Sequence, residues 1–389
     1  MNSEAVAEEV IVASAPTIVF WLNTPSPHMA PLIKALADDF GYKVWVVTEW
    51  SMKSARIELG WQFPDHGSAE VIVGASDHER RILEAHLQSA DFHLFSGIGT
   101  YPKTTASMKR LANRGVSHIA VITEPWNPNG ILGFLRMVKH FLRLRSLRPK
   151  IDTYLAISDL SRRQLISLGV GAVNVHPFVY AVEVEESAVT SEFDQSVPFR
   201  IGFVASLGKR KNLELLLNAL GEIDSPDWEL LVAGSGPREK SLKSQSRRLG
   251  IASRSRYLGA VPNSEVRKLI ASLDVLVLPS LFDGWGAVVN EALLAGVPVV
   301  ASSAVGAAEL ITGELRGSVF QSGNVAQLRD RLVSLLGSGR RGHLLRWQLK
   351  VESSQSVGAE SIADYLIDVL NRRKPLGRTP VAPWLREPA

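Results

Sequence analysis

A chain of 389 residues is longer than one ordinary hydrophobic core organises and suits two domains of common size. Hydrophobic residues at 46% and charged ones at 21% exclude a disordered or fibrous class, and the lack of any cysteine excludes disulfide scaffolds, thiolate metal sites and cysteine nucleophiles. The formal charge of +4 is compatible with nucleic acid, acidic lipid or phosphorylated small molecules and selects none of them.

The first ten residues carry glutamates and no basic cluster ahead of an apolar run, so no secretory signal is expected and 1–16 reads as an N-terminal extension. Residues 17–22 form an apolar run, followed by a Pro-containing turn and a helical pattern through Leu32, Leu36 and Phe40. Further short apolar runs at 44–47, 69–73, 92–95 and 118–122 alternate with helical stretches, which predicts a parallel sheet covered on both faces. Over 131–150, Ile131, Phe134, Leu135, Val138, Phe141 and Leu142 keep helical spacing while Arg136, Lys139 and Arg143 fall on another face. Two readings stay open for this segment: a surface helix packed on its own sheet, or a basic amphipathic helix resting on anionic lipid.

The polar, acidic stretch 183–198 marks a linker between a first domain at 17–182 and a second at 199–355. In the second, strands are expected at 199–204, 228–233, 274–278 and 297–301. Two doubly wound, Rossmann-like units would then face each other across a cleft, where such sheets bind ligands at their carboxyl ends. Residues 356–373 predict a final amphipathic helix through Ile362, Tyr365, Leu366 and Val369, and the Pro-rich tail 374–389 reads as poorly ordered. No apolar stretch approaches the roughly 18 to 20 residues that span a bilayer. No basic and aromatic interleaving points to nucleic acid. A cytoplasmic protein is expected, at most peripheral to the inner face of the membrane.

The segment 279–292 begins where the strand ending at Leu278 stops. Gly284 and Gly286 permit tight turns and close ligand approach, and the first amides of the following helix lack internal partners, so a diphosphate can sit on them. Asp283 and Glu291 place two carboxylates near one cleft wall, suited to accepting hydrogen bonds from sugar and ribose hydroxyls.

Asp283 to Glu291, continued by Ala295-Gly296-Val297-Pro298, resembles the E-x7-E signature of the retaining family-four glycosyltransferases, with Asp283 in place of the usual first glutamate. Lys211, in Gly208-Lys209-Arg210-Lys211-Asn212, stands where that family places a phosphate-binding lysine. Gly234 lies in a matching glycine turn, Leu258 and Ala260 in the segment that meets the nucleotide base, and Gly306 and Glu309 continue the match. Ser206 stands where the family commonly has an arginine, so Lys209 or Arg210 is a candidate substitute.

The resemblance implies the GT-B fold of two Rossmann-like domains. It assigns Glu291 to the ribose, Asp283 to the donor-sugar hydroxyls, and Lys211 to the departing diphosphate, assisted by backbone amides of Gly284, Trp285, Gly286 and Ala287. Fixed cations and amide dipoles stabilise a diphosphate leaving group without reorganising. No metal and no cofactor are then called for, and no Asp-x-Asp motif stands at a suitable strand end.

The acceptor is assigned to the first domain. Glu124, at a strand end in Thr123-Glu124-Pro125-Trp126, is its leading carboxylate, or a loop cap beside Pro125. His93 either bonds a sugar hydroxyl or is buried among Phe92, Leu94 and Phe95. His28 either faces the cleft or is an ordinary loop residue. The function implied is transfer of a hexose-type unit from a nucleotide diphosphate sugar, with retention, to a glycan or lipid-linked acceptor in bacterial surface-polysaccharide or glycoconjugate synthesis. The same architecture serves nucleotide-sugar epimerases and phosphorylases, and a non-catalytic sugar-nucleotide-binding protein is the rival from another class.

Overall fold

The apolar run at 17–22 becomes strand β1 (Thr17–Leu22), which is apolar on both sides because both of its faces feed a core. Ile18, Phe20 and Leu22 join one hydrophobic cluster, and Val19 and Trp21 join another. The computed structural model describes residues 15–52, 57, 62–116, 118–183, 197–225, 227–371 and 380–386. Among these, the first domain adds β2 (Lys43–Thr48), β3 (Glu70–Ile72), β4 (Phe92–Ser96), β5 (Ile119–Thr123), β6 (Thr153–Ile157) and β7 (Val175–Phe178). They form a parallel sheet in the order β3-β2-β1-β4-β5-β6-β7.

The second domain repeats the plan with β8 (Phe199–Val204), β9 (Trp228–Ala233), β10 (Ser255–Gly259), β11 (Val275–Leu278), β12 (Val299–Ser302) and β13 (Gly317–Phe320), all parallel in the order β10-β9-β8-β11-β12-β13. Strands β6, β7, β10 and β13 lie on the outer parts of the two sheets. In β10, whose faces alternate half-buried and exposed, the apolar run that marks a strand is missing. The strand order reverses at β1/β4 and at β8/β11, so the loops at the carboxyl ends of these strands open the crevice in which such sheets hold ligands.

The terminal helix runs Ala359–Leu370, with Ile362, Tyr365, Leu366 and Val369 buried. It does not pack on the domain that precedes it alone. It crosses to the first domain and lies on the helix Ala30–Asp38, sharing a cluster with Leu32, Ile33 and Leu36. The tail read as poorly ordered is partly built in: Trp384 is 1% exposed and its ring meets Tyr365 edge-on at 5.2 Å. Most of the expected linker, 184–196, and the extension up to residue 14 lie outside the described residues.

Candidate functional site

The loop after β11 is pinned before it turns into the helix Val288–Leu294. Asp283 donates its amide to the Ala304 carbonyl (2.9 Å) and accepts at its own carbonyl from Gly306 (3.0 Å), a single strand-like bridge to the loop after β12. Gly286 adopts φ +95°, a conformation that favours glycine, and a Cβ there would stand 3.0 Å from the Leu278 and Val305 side chains. The Trp285 indole is buried and donates to Asn290 Oδ1 (2.9 Å), so this residue offers the cleft its backbone and not its ring. Among the described residues, the amides of Gly284, Trp285, Gly286 and Ala287 have no acceptor.

Opposite this loop, the chain leaves β8 through a short turn at Lys209–Lys211, and Asn212 enters the next helix in the left-handed region at φ 55°. That turn aims two cations at one carboxylate. Lys211 Nζ bonds Asp283 Oδ2, and Arg210 reaches Oδ1 at 3.1 Å while also donating to the Phe282 carbonyl at 3.0 Å. The Lys211 and Asp283 side chains are nearly buried, whereas Arg210 is half exposed. Lys209 is exposed and makes no ion pair among the described residues, and Ser206 is exposed as well. Of the two candidates to replace the family's arginine, the structure brings Arg210 to the cluster and leaves Lys209 in solvent.

Glu291 is half-buried on the helix, and no hydrogen-bond donor reaches its carboxylate among the described residues. Loss of water pushes its carboxyl up to about 7, against the pull of the Arg267 guanidinium. Glu309, three residues beyond Gly306, is likewise raised to about 7 by burial, and the Asp159 carboxylate adds to the rise. It accepts the Asp159 amide of the first domain at 2.9 Å, joining the two domains. The loop it meets is strained: Ser158 sits at φ 75°, with its Cβ 3.0 Å from where a Gly306 side chain would begin.

From the first domain, Glu124 projects off the end of β5 into the cleft. One carboxylate oxygen accepts from the Tyr180 hydroxyl, and the other would stand 3.4 Å from a Cβ on Gly284. Tyr180 keeps its proton, its acidity suppressed by burial and by the Glu124 charge. The His28 ring lies 5.8 Å from Tyr180, and both line a cavity of about 350 Å³ with Glu124, Trp126 and His140. Asn290 ties this side to the loop after β11 by donating to the Tyr180 carbonyl at 3.0 Å.

His93 does not reach the cleft. It is fully buried in β4, its Nδ1 accepts the Trp21 indole proton at 3.2 Å, and burial lowers its pKa to about 4. The alternation of β4 turns it to the same inner face as Phe95, so the acceptor-side candidate becomes a core residue. Gly234 is required by packing, since a Cβ would lie 1.9 Å from the Ala205 carbonyl oxygen, and its amide bonds Gly259 at 2.7 Å. That bond brings exposed Leu258 and Ala260 to the carboxyl end of the sheet beside the β8 turn. Tyr180 carried no motif, and Asn290, although inside the segment 279–292, had no role assigned from sequence. Their roles arise from contacts across 56 and 110 residues, which no local pattern records.

Residues 190–346 match the model of the family described as glycosyl transferases group 1. That span, in the second half of the chain, is similar to the group 1 glycosyltransferase domain. It contains Lys211, Asp283, Glu291 and Glu309 and ends before the helix that returns to the first domain. The chain is 31% identical over 236 residues to the phosphatidyl-myo-inositol mannosyltransferase of Mycobacterium leprae, covering 57% of each chain. It is 27% identical over 233 residues to the lipopolysaccharide 1,6-galactosyltransferase of Escherichia coli, covering 57% of this chain and 63% of that one. The chain thus spans less than two-thirds of the length of either relative. Anabaena HepE, solved in complex with UDP, superposes with a TM-score of 0.69 at 18% identity, over 91% of this chain and 99% of that one. The two facing sheets are therefore the GT-B fold, and the span that matches the group 1 model lies in its second half.

Proposed function

We propose that the protein transfers a hexose-type sugar from a nucleotide diphosphate sugar to a hydroxyl of a glycan or lipid-linked acceptor, with retention, in surface-polysaccharide or glycoconjugate synthesis in the cytoplasm. The observation that carries this reading is the convergence of Lys211 and Arg210 on Asp283 beside the open amides of Gly284 to Ala287. Breaking the bond between sugar and diphosphate leaves negative charge on the phosphate. Two fixed cations and a row of amides stabilise that charge without rearranging, and the reading calls on no metal and no cofactor.

In this reading Asp283 turns from its cations to the donor-sugar hydroxyls once phosphate competes for Lys211 and Arg210. Glu291, with no donor of its own, takes the ribose hydroxyls, and Leu258 and Ala260 meet the base. Glu124 and His28 hold the acceptor, with the Tyr180 hydroxyl fixing Glu124. The leaving phosphate accepts the acceptor's proton, so no residue is assigned as base. HepE bound to UDP and the two named relatives, one acting on phosphatidyl-myo-inositol and one on lipopolysaccharide, support a nucleotide-sugar donor and a lipid-borne acceptor.

The test is incubation with a panel of nucleotide sugars, with and without acceptors. Release of nucleoside diphosphate that rises with acceptor supports transfer, and an epimer formed from donor alone would overturn it.

A further inference from the structure

The helix Gly130–Leu147 reverses the usual arrangement in which an amphipathic helix turns its apolar stripe to its own core. Its attachment runs through Gly133, Leu144 and Leu147, which are buried, and through His140, whose ring stacks on Trp126 at 4.6 Å. Gly133 is so close to the preceding loop that a Cβ would stand 2.0 Å from the Pro128 carbonyl oxygen. The far side carries Ile131, Phe134, Leu135, Val138, Phe141 and Leu142, between 37% and 81% exposed. Apolar side chains gathered on one exposed stripe mark an interaction surface.

Charge selects the occupant. From 130 to 150 the chain carries Arg136, Lys139, Arg143, Arg145, Arg148 and Lys150 and no acidic residue. Arg136, Lys139 and Arg143, at spacings of three and four, run along the edge of the apolar stripe. A second copy of the same helix would set these cations against one another. An anionic bilayer answers both the stripe and its edge, and the helix is too charged to cross one.

We propose that Gly130–Leu147 lies in the interface of an anionic phospholipid bilayer, with its apolar stripe among the acyl chains and Arg136, Lys139 and Arg143 on the lipid phosphates. Trp126 and His140, which join the helix to the body, also line the cavity that holds Glu124. Docking therefore brings that cavity to the membrane surface, where a lipid-anchored hydroxyl reaches Glu124. This last consequence rests on the transferase reading above, whereas the docking does not.

The experiment mixes the full-length protein with sedimentable vesicles of phosphatidylcholine alone or with about one-third phosphatidylglycerol. A triple variant, Ile131→Ser, Leu135→Ser and Leu142→Ser, alters only exposed side chains, and an unchanged melting temperature verifies its fold. The wild type is expected to partition onto anionic vesicles about tenfold more than onto neutral ones, and the variant to lose that gain. Equal partition of wild type and variant, or none onto anionic vesicles, overturns the proposal. A wild-type dimer that the variant turns into a monomer assigns the stripe to a second copy and overturns it as well. Vesicle binding without sugar transfer to any acceptor leaves the docking standing and defeats the transferase reading.

Discussion

Lys211 and Asp283, 72 residues apart in the chain, form a nearly buried ion pair at the carboxyl ends of β8 and β11. Each carboxylate oxygen of Asp283 is held by a different cation, because Arg210 takes the second at 3.1 Å. Lys211→Ala leaves a nearly buried carboxylate with one half-exposed partner and removes the cation proposed to meet the leaving diphosphate. Turnover with the true donor is expected to fall about tenfold or more, a barrier rise of about 1.4 kcal/mol. Glu291→Ala is expected to lower kcat/KM by a similar factor through lost ribose contacts. Wild-type turnover in both variants, measured by nucleoside diphosphate release, would remove the site assignment.

Tyr180→Phe keeps the ring beside His28 and deletes the hydroxyl that holds Glu124. The hydrogen bond is worth about 1 kcal/mol net, so an increase of about fivefold in the acceptor KM is expected, with the donor KM unchanged. Steady-state kinetics varying each substrate in turn check this. A rise confined to the donor KM would place Tyr180 on the other side of the reaction.

Glu309 and Glu291 both titrate near 7 in the folded chain, above the ordinary value of 4.5. The folded state holds these protons more tightly than the unfolded chain, so their contribution to stability is complete below about 4.5 and is lost as pH rises through about 7. The wild-type melting temperature should fall between pH 5 and 8 through these two groups, and Glu309→Gln should fall less steeply. A variant as steep as the wild type would show that Glu309 is not one of the groups responsible.

Trp384 fills a slot against Tyr365 on the helix that bridges the domains. Trp384→Ala is expected to destabilise the protein by about 3 kcal/mol, read as a lower denaturant midpoint. A change within error would mean that the tail is not part of the cooperative unit.

Much of the loop proposed to bind the donor was legible in the amino-acid order, for a physical reason. A strand end, a tight glycine turn and the first amides of a helix are consecutive in the chain, so Asp283, Gly284, Gly286 and Glu291 mark a candidate site by their spacing together with the family resemblance. Fully buried strands such as β1 and β11 were legible too, since parallel strands covered on both faces are continuous apolar runs. Edge strands such as β10 lacked that signature. What only the tertiary structure decided are relations between distant segments. It turned His93 into the core and pointed Glu124 at Gly284 through Tyr180. It chose Arg210 over Lys209 as the second cation on Asp283. It also settled the direction of the stripe from Ile131 to Leu142: helical spacing shows that one face is apolar, but only the position of the rest of the molecule shows that this face looks outward.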